Sequence, residues 1–551
     1  MRVTQRCSPT QTCSPCKNRR PQASPALCCK TALPRRQCLL HSLQCRPTWP
    51  KLHLLAPNSL NMHGIRRAIR RAFSVRIFEN SVEAVEDIRN GARIAIGGYG
   101  ACGVPENSLR ALHNLGTYDL TAYTATTGIP GWGLDLLIRD KQIKRLITSH
   151  SGVNTAFYKQ YLVGDVELEL IPEGSLAARL YAGGAGIPAI YTRTGVGTAV
   201  EEGHFPIKYM PGGHGVEIYS SAKEKRRFRS QDTLLEEGIT TEYSLIKAWK
   251  GDTKGNLVFR RTAANFNTTM AQCARVTIAE VEQIVPEGEL DPDDIHVPAV
   301  YVHRLFKGEF YEKPIEYLTL LSESNKLSPR QITDLASKLR IAKRAAKEVE
   351  AGMTVHLGLG IAGLVAHIVD PKLGAIFHSN SGALGVGNYP KAGLEDADVI
   401  NSSRETVTLM DGASCFSSNE SMDMLRGGHV DLNIISGFQV SQYGDLANWF
   451  LPGKTAPSIG ANMDVVSSDR TKNIVTMMHT MQSAPKIVKE CTLPITGRKC
   501  VHTLITEKGV FDFTRENTLT LVEIAKDVLL DDMREVTGCT FNIASDLKPM
   551  D

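Results

Sequence analysis

The chain has 551 residues, 42% of them hydrophobic and 22% charged. That is the make-up of a soluble globular protein long enough for roughly two to four domains. No uninterrupted apolar run approaches the ~18 residues needed to span a bilayer. The net charge of +5 is unevenly spread: residues 1–78 hold 15 of the 63 Lys and Arg and no Asp or Glu, so the remainder carries 48 basic against 58 acidic residues, a net charge of −10. The folded part is therefore acidic, which argues against a nucleic-acid partner.

Residues 1–74 are rich in Arg, Ser, Pro and Cys. They read as a disordered mitochondrial targeting segment addressed to the matrix. Met62–Ser74, MHGIRRAIRRAFS, is its sharpest part. On a helical wheel Ile65, Ile69, Ala72 and Phe73 share one side and Arg66, Arg67, Arg70 and Arg71 the other. Met62 is a candidate initiator, because 62–74 alone would make a compact presequence. Seven of the 13 cysteines lie in the first 45 residues; the other six are scattered singly, as expected of reduced, buried thiols in an intracellular protein. Cys13-x-x-Cys16 has no second Cys or His pair at finger spacing, so no metal is expected.

From Ser81 the pattern alternates. SVEAVEDIRNG predicts an amphipathic helix ending at Gly91, and ARIAIGG a short buried strand. LITS, VELELI and AIYT are further strands, with a helix around Ser175–Tyr181. The alternation predicts an α/β domain with a mainly parallel sheet over residues 75–320. Residues 321–333 are polar, contain Pro and read as a linker. A second α/β domain, 334–551, opens on a helix expected over Ile332–Ala351. The halves echo each other. IRNGARIAIGG and VEAGMTVHLGLG each place a Gly (Gly91, Gly352) before an apolar strand and a second Gly six residues on (Gly97, Gly358), as two fused domains of one fold would.

Gly358-Leu-Gly360-Ile-Ala-Gly363 has the spacing of a dinucleotide-binding loop before an expected helix, IAGLVAHIV. No Asp or Glu lies between Pro371 and Leu394, where a ribose-binding acid belongs. The more general use of such a loop is to hold an oxyanion on backbone N–H groups. The stretch Phe377–Gly387, FHSNSGALGVG, follows an apolar run; a strand ending in Ser-Asn-Ser-Gly presents side chains to a cleft, with Gly382 allowing a sharp turn.

Residues Asn90–Pro105 resemble the first signature of the family I coenzyme A transferases, with Tyr99 where that family usually has Phe. Phe377–Gly385 resembles the second, in which Ser-Glu-Asn-Gly stands where this chain has Ser379-Asn380-Ser381-Gly382. Similar matches occur at Ala182–Pro188, Ala263–Asn267, Arg426–Asp431 and Tyr443–Trp449. The resemblance runs from about Ser74 to the C-terminus and is strongest to mitochondrial members that move CoA from succinyl-CoA to a 3-oxoacid. It implies two fused, similar CoA-transferase-fold domains with a cleft between them, and a homodimer. It implies acetoacetate activation in ketone-body catabolism, with no tightly bound cofactor because the CoA thioester is itself a substrate. In the family, the Glu of Ser-Glu-Asn-Gly attacks the thioester and becomes a glutamyl-CoA thioester. That position is Asn380 here. The resemblance further implies oxyanion and CoA-binding loops at Gly97, Gly98, Gly358, Gly360, Ser381 and Gly382, and substrate contacts at Asn265, Asn267 and His429.

An amide nitrogen is delocalised and non-basic, so Asn380 is a poor acyl acceptor. Glu395, Glu405 and Glu420, the nearest acids downstream, offer no obvious substitute. Val153 also stands where a Glu is usual. A second reading is therefore an inactive paralogue that keeps the fold and CoA binding. Asn265 and Asn267 could equally brace a loop, His429 and Asp431 could serve an interface, and Cys102 reads as a packed thiol.

Overall fold

Two sheets organise the chain, one from each half. The computed structural model describes residues 75–152, 154–321, 329–452, 458–514 and 518–550, with backbone alone for 329–333. The expected targeting segment 1–74, Val153 and part of the expected linker, 322–328, lie outside the described residues.

The first sheet runs, in spatial order, through Arg76–Phe78, Arg304–Lys307, Ala274–Val285, Thr241–Asp252, Arg93–Ile96, Leu120–Thr126, Ile143–His150 and Glu167–Leu170. Every neighbouring pair along it is parallel. A parallel sheet must be covered on both faces, and the strand residues alternate accordingly. Ile94, Ile96, Leu245 and Ile278 enter one core with Leu109, Leu112 and Phe157. Ala95, Ile246 and Ala279 enter the other with Leu176, Leu180, Phe266 and Met270. The helices Glu106–Leu115 and Thr155–Leu162 supply the first cover, and Glu173–Gly184 and Asn267–Gln272 the second.

The second sheet is mixed. Its centre is Ile376–Ser379, Thr354–Leu357, Leu432–Ser436, Lys472–Thr476 and Thr503–Ile505, all parallel. Antiparallel strands flank it: Ala383–Val386 and Leu409–Cys415 on one side, Gly509–Phe513 and Leu519–Ala525 on the other. The echo between the halves is structural. Gly91 and Gly352 take left-handed φ values of 77° and 76°, each two residues before its strand. The N–H groups of Gly97 and Gly358 each donate to the neighbouring parallel strand, to Leu245 O and Ile434 O, both at 2.9 Å.

Several boundaries differ from expectation. The first helix is only Ser81–Val85, because the segment after it is drawn into tertiary contacts: Asp87 pairs with Arg304, and Asn90 Oδ1 accepts from Tyr118 N. AIYT does not join the main sheet; Ala189–Thr192 pairs antiparallel with Gln231–Glu237 in a separate three-stranded sheet. The helix expected over 332–351 spans Pro329–Ala346, so it begins within the expected linker and ends earlier than expected. IAGLVAHIV is not an α-helix but a short 3-10 helix, Ala362–His367. Left-handed Gly360 before it and Gly363 within it weaken helix nucleation over so few residues.

Candidate active site

The carboxyl ends of strands from both sheets converge on one cavity of about 280 Å3. Tyr99, Thr126, His150 and Glu173 reach it from the first sheet's strand ends; Gly358, Asn380 and Phe438 reach it from the second's. Clefts at the carboxyl ends of parallel strands are where α/β folds bind ligands. The halves are joined there by short contacts. Gly460 N donates to Ser149 O and Glu173 N donates to Gly460 O, both at 2.9 Å, and Ser458 Oγ bonds to His150 Nδ1. Farther out, Arg260 bridges Asp396 and Asp398 at 2.7 and 3.0 Å.

Asn380 sits at the tip of the hairpin between Ile376–Ser379 and Ala383–Val386, in register His378↔Leu384 and Ser379↔Ala383. Gly382 makes the turn possible. Its φ is +98°, and a Cβ there would lie 2.1 Å from Phe416 O. Hydroxyls hold the loop from below. Ser379 Oγ lies 2.7 Å from Ser381 Oγ, Ser381 Oγ donates to Ile400 O at 2.7 Å, and Asn380 N donates to Ser402 Oγ at 3.1 Å. A buried chain extends behind it. Ser421 Oγ donates to Ser379 O and lies 2.9 Å from His378 Nε2, and His378 Nδ1 lies 3.1 Å from His356 Nδ1. Burial holds both imidazoles neutral, His378 down to about 4 and His356 well below its usual value.

The Asn380 side chain, 4% exposed, turns to the opposite wall. Its Nδ2 donates to Glu173 Oε1 at 3.0 Å and to Tyr99 Oη at 3.3 Å, and the Tyr99 hydroxyl donates to Ser402 O at 3.1 Å. Asn380 Oδ1 is buried without a partner. Glu173 opens the helix Glu173–Gly184 and is 2% exposed. Burial, reinforced by nearby Asp464, pushes its carboxyl up to about 8; Arg404 and the Asn380 hydrogen bond oppose that rise. Asp464 accepts from Gly174 N at 2.8 Å and from Thr194 Oγ1 at 2.9 Å, and burial raises it to about 6. Arg404 has φ 63° and pairs with Glu316 at 3.0 Å. Burial, with Arg404 nearby, holds His150 down to about 3. Among the described lining residues Glu173 is the one acid and Arg404 the one Lys or Arg. A larger cavity of about 610 Å3 adjoins, sharing Trp449 and Ile459 and running past Leu170 and Ile171.

Of the residues singled out in the sequence, Tyr99, Gly358 and Asn380 line the cavity. Ser381 and Gly382 shape the hairpin beneath it. Gly97 packs under Asn267, where a Cβ would lie 1.9 Å from Oδ1, and Gly98 turns the chain at φ 107° toward Tyr99. Gly360 is the left-handed turn after Gly358. Asn265 and Asn267 are fully buried. Their amides donate to Cys102 O, Thr262 O, Gly103 O and Ala263 O, so they brace the loop that carries Tyr99. His429 is exposed and outside the cavity lining, just past the helix Ser418–Arg426. Cys102 is buried and its thiol pushed up to about 12. The downstream acids are engaged elsewhere. Glu405 accepts from Tyr389 and Asn401, and Glu420 closes a capping box with Ser417. Sequence reasoning missed Glu173, His150 and Arg404. Glu173 had one visible signal, an acid directly after Pro172 at a helix start.

The chain belongs to the Coenzyme A transferase family, whose model matches residues 78–308 and 338–535. It is 44% identical over 499 residues to mouse succinyl-CoA:3-ketoacid coenzyme A transferase 2A, mitochondrial, covering 90% of this chain and 95% of that one. It is 45% identical over 476 residues to the human succinyl-CoA:3-ketoacid coenzyme A transferase 2, mitochondrial, covering 86% and 91%. The fold matches the apoenzyme of an acyl-CoA transferase from Escherichia coli O157:H7 with a TM-score of 0.68 at 19% identity, over 87% of this chain and 95% of that one.

Proposed function

We propose that this chain transfers coenzyme A from succinyl-CoA to a 3-oxoacid, acetoacetate, in mitochondrial ketone-body catabolism. The observation that carries the reading is the Ser379–Gly382 hairpin. Its turn, hydroxyl bracing and placement at the meeting of two sheets are those of a loop built to present one side chain to a small cavity. Such a reaction must seat a donor and an acceptor carboxylate in turn, and Arg404 offers a cation on the cavity wall. The named functions of the mouse and human relatives support the same substrates. Their mitochondrial names and the acid-free, Arg-rich residues 1–74 support import into the matrix. The family resemblance supports a homodimer.

Asn380 favours a second reading, an inactive paralogue that binds CoA and transfers nothing. Exchange of label between succinate and acetoacetyl-CoA, run beside equilibrium dialysis with CoA, separates the two. Exchange supports transfer. CoA binding without exchange supports the inactive paralogue, and neither would overturn both.

A further inference from the structure

A site that needs a carboxylate has one, on the wall opposite the hairpin. Asn380 Nδ2 is 3.0 Å from Glu173 Oε1, although the two residues are 207 positions apart. Whatever reaches the side chain at 380 therefore reaches Glu173 as well. We propose that Glu173 is the acyl acceptor of this protein, taking the role that the residue at 380 cannot perform, with Asn380 acting as its hydrogen-bond donor. The inference rests on the reading that the cavity receives an acyl-CoA, and names the residue that reacts.

Three observations support it. Glu173 is the one acid among the described lining residues. Its backbone is fixed, because Glu173 N donates to Gly460 O and Gly174 N to Asp464 Oδ2, so the helix start that carries the carboxyl is pinned to the second half of the chain. The competing oxygen nucleophile, Tyr99 Oη, is buried with its ionisation strongly suppressed by desolvation and by the adjacent Glu173 charge. The titratable and charged groups around Glu173 are Asp464, Arg404, Tyr99, His150 and His356. Of these Arg404 favours the carboxylate and Asp464 opposes it. A carboxylate whose basicity is raised by burial is a stronger nucleophile once ionised, as it is above about pH 8.

The steps balance. A Glu173 carboxylate oxygen attacks the thioester carbonyl carbon, the C–S bond breaks, and CoA leaves as its thiolate. The product is a mixed anhydride between Glu173 and the donor acid. The thiolate attacks Glu173 Cδ, the donor acid departs as a carboxylate, and a glutamyl-CoA thioester remains. The acceptor carboxylate attacks Cδ and frees the thiolate, which then attacks the acyl carbonyl of the new anhydride and restores the Glu173 carboxylate. One carboxylate enters and one leaves, with no water, oxidant or reductant consumed. Asn380 Nδ2 lies beside the oxygen that gains charge when Cδ becomes tetrahedral.

The test uses the full chain. Incubation with acetoacetyl-CoA above about pH 8, reduction with borohydride and peptide mapping by mass spectrometry should find a glutamyl thioester, trapped as an alcohol, in the peptide containing Glu173. Glu173→Gln should remove the adduct and lower exchange by about 10³-fold or more. An adduct at any other residue overturns the inference. So does thioester loss by hydrolysis, with free CoA and no adduct. If CoA binds in dialysis but no adduct forms, the inference fails while a CoA-binding site stands; if CoA does not bind, the reading of the cavity fails with it.

Discussion

The two walls of the cavity differ in what they contribute. The hairpin wall is geometrically complete: Gly382 turns it, Ser379, Ser381 and Ser402 brace it, and a neutral His378–His356 pair backs it. Its tip, Asn380, carries no reactive acid. The helix wall is packed into a core through Leu176 and Leu180 and tied at its start to Gly460, Asp464 and Arg426, and it presents Glu173. The difference separates two properties that a signature loop normally combines, the shape that positions a reacting group and the group itself. Because the side chains meet at 3.0 Å, either wall can in principle supply the carboxylate.

Changes to the walls should therefore have unequal effects. The largest is expected from Glu173→Gln, which keeps the size of the side chain and removes its carboxylate; exchange should fall by about 10³-fold or more while the CoA affinity measured by dialysis changes little. Next is Gly382→Ala. A Cβ 2.1 Å from Phe416 O at a φ of +98° requires the hairpin to move, and urea unfolding should register a loss of about 2–4 kcal/mol. Arg404→Gln leaves Glu316, already holding an unpartnered buried Oε2, without its cation. It should cost up to about 3 kcal/mol. It also removes a group that lowers the Glu173 pKa, so the rise of activity with pH should move to higher pH.

The last effect is on stability and has a definite sign. The Glu173 carboxyl titrates near 8 in the fold against a usual 4.5. Between those values the unfolded chain has released the proton and the folded chain retains it, so this group makes folding less favourable as pH rises through that window. Glu173→Gln should raise the Tm at pH 8, and the gain should vanish as pH falls toward 4.5. A variant that is more stable and less active would mark Glu173 as a group kept for chemistry.

Local pattern made much of this visible. The Gly91 and Gly352 turns and their strands are legible because a left-handed glycine and an apolar run are both local signals. So is the hairpin, with a small-residue stretch between strands. The helix ends were not, because tertiary contacts such as Asp87–Arg304 decide where Ser81–Val85 stops. Glu173 was hidden for a related reason. A search for a substitute acid along the chain after position 380 meets Glu395, Glu405 and Glu420, of which Glu405 is taken up by a loop and Glu420 by a helix cap. The acid that faces Asn380 comes from the other half of the molecule, and only the convergence of strand ends from two sheets brings it there.

The most direct test exchanges the contents of the two walls. Succinate–acetoacetyl-CoA exchange is measured for the natural chain, for Glu173→Gln, and for Glu173→Gln combined with Asn380→Glu. If the cavity needs one carboxylate at this meeting point, the single variant loses exchange and the double variant recovers it, with the trapped adduct moving from position 173 to position 380. Exchange at the natural rate in Glu173→Gln alone would contradict the account.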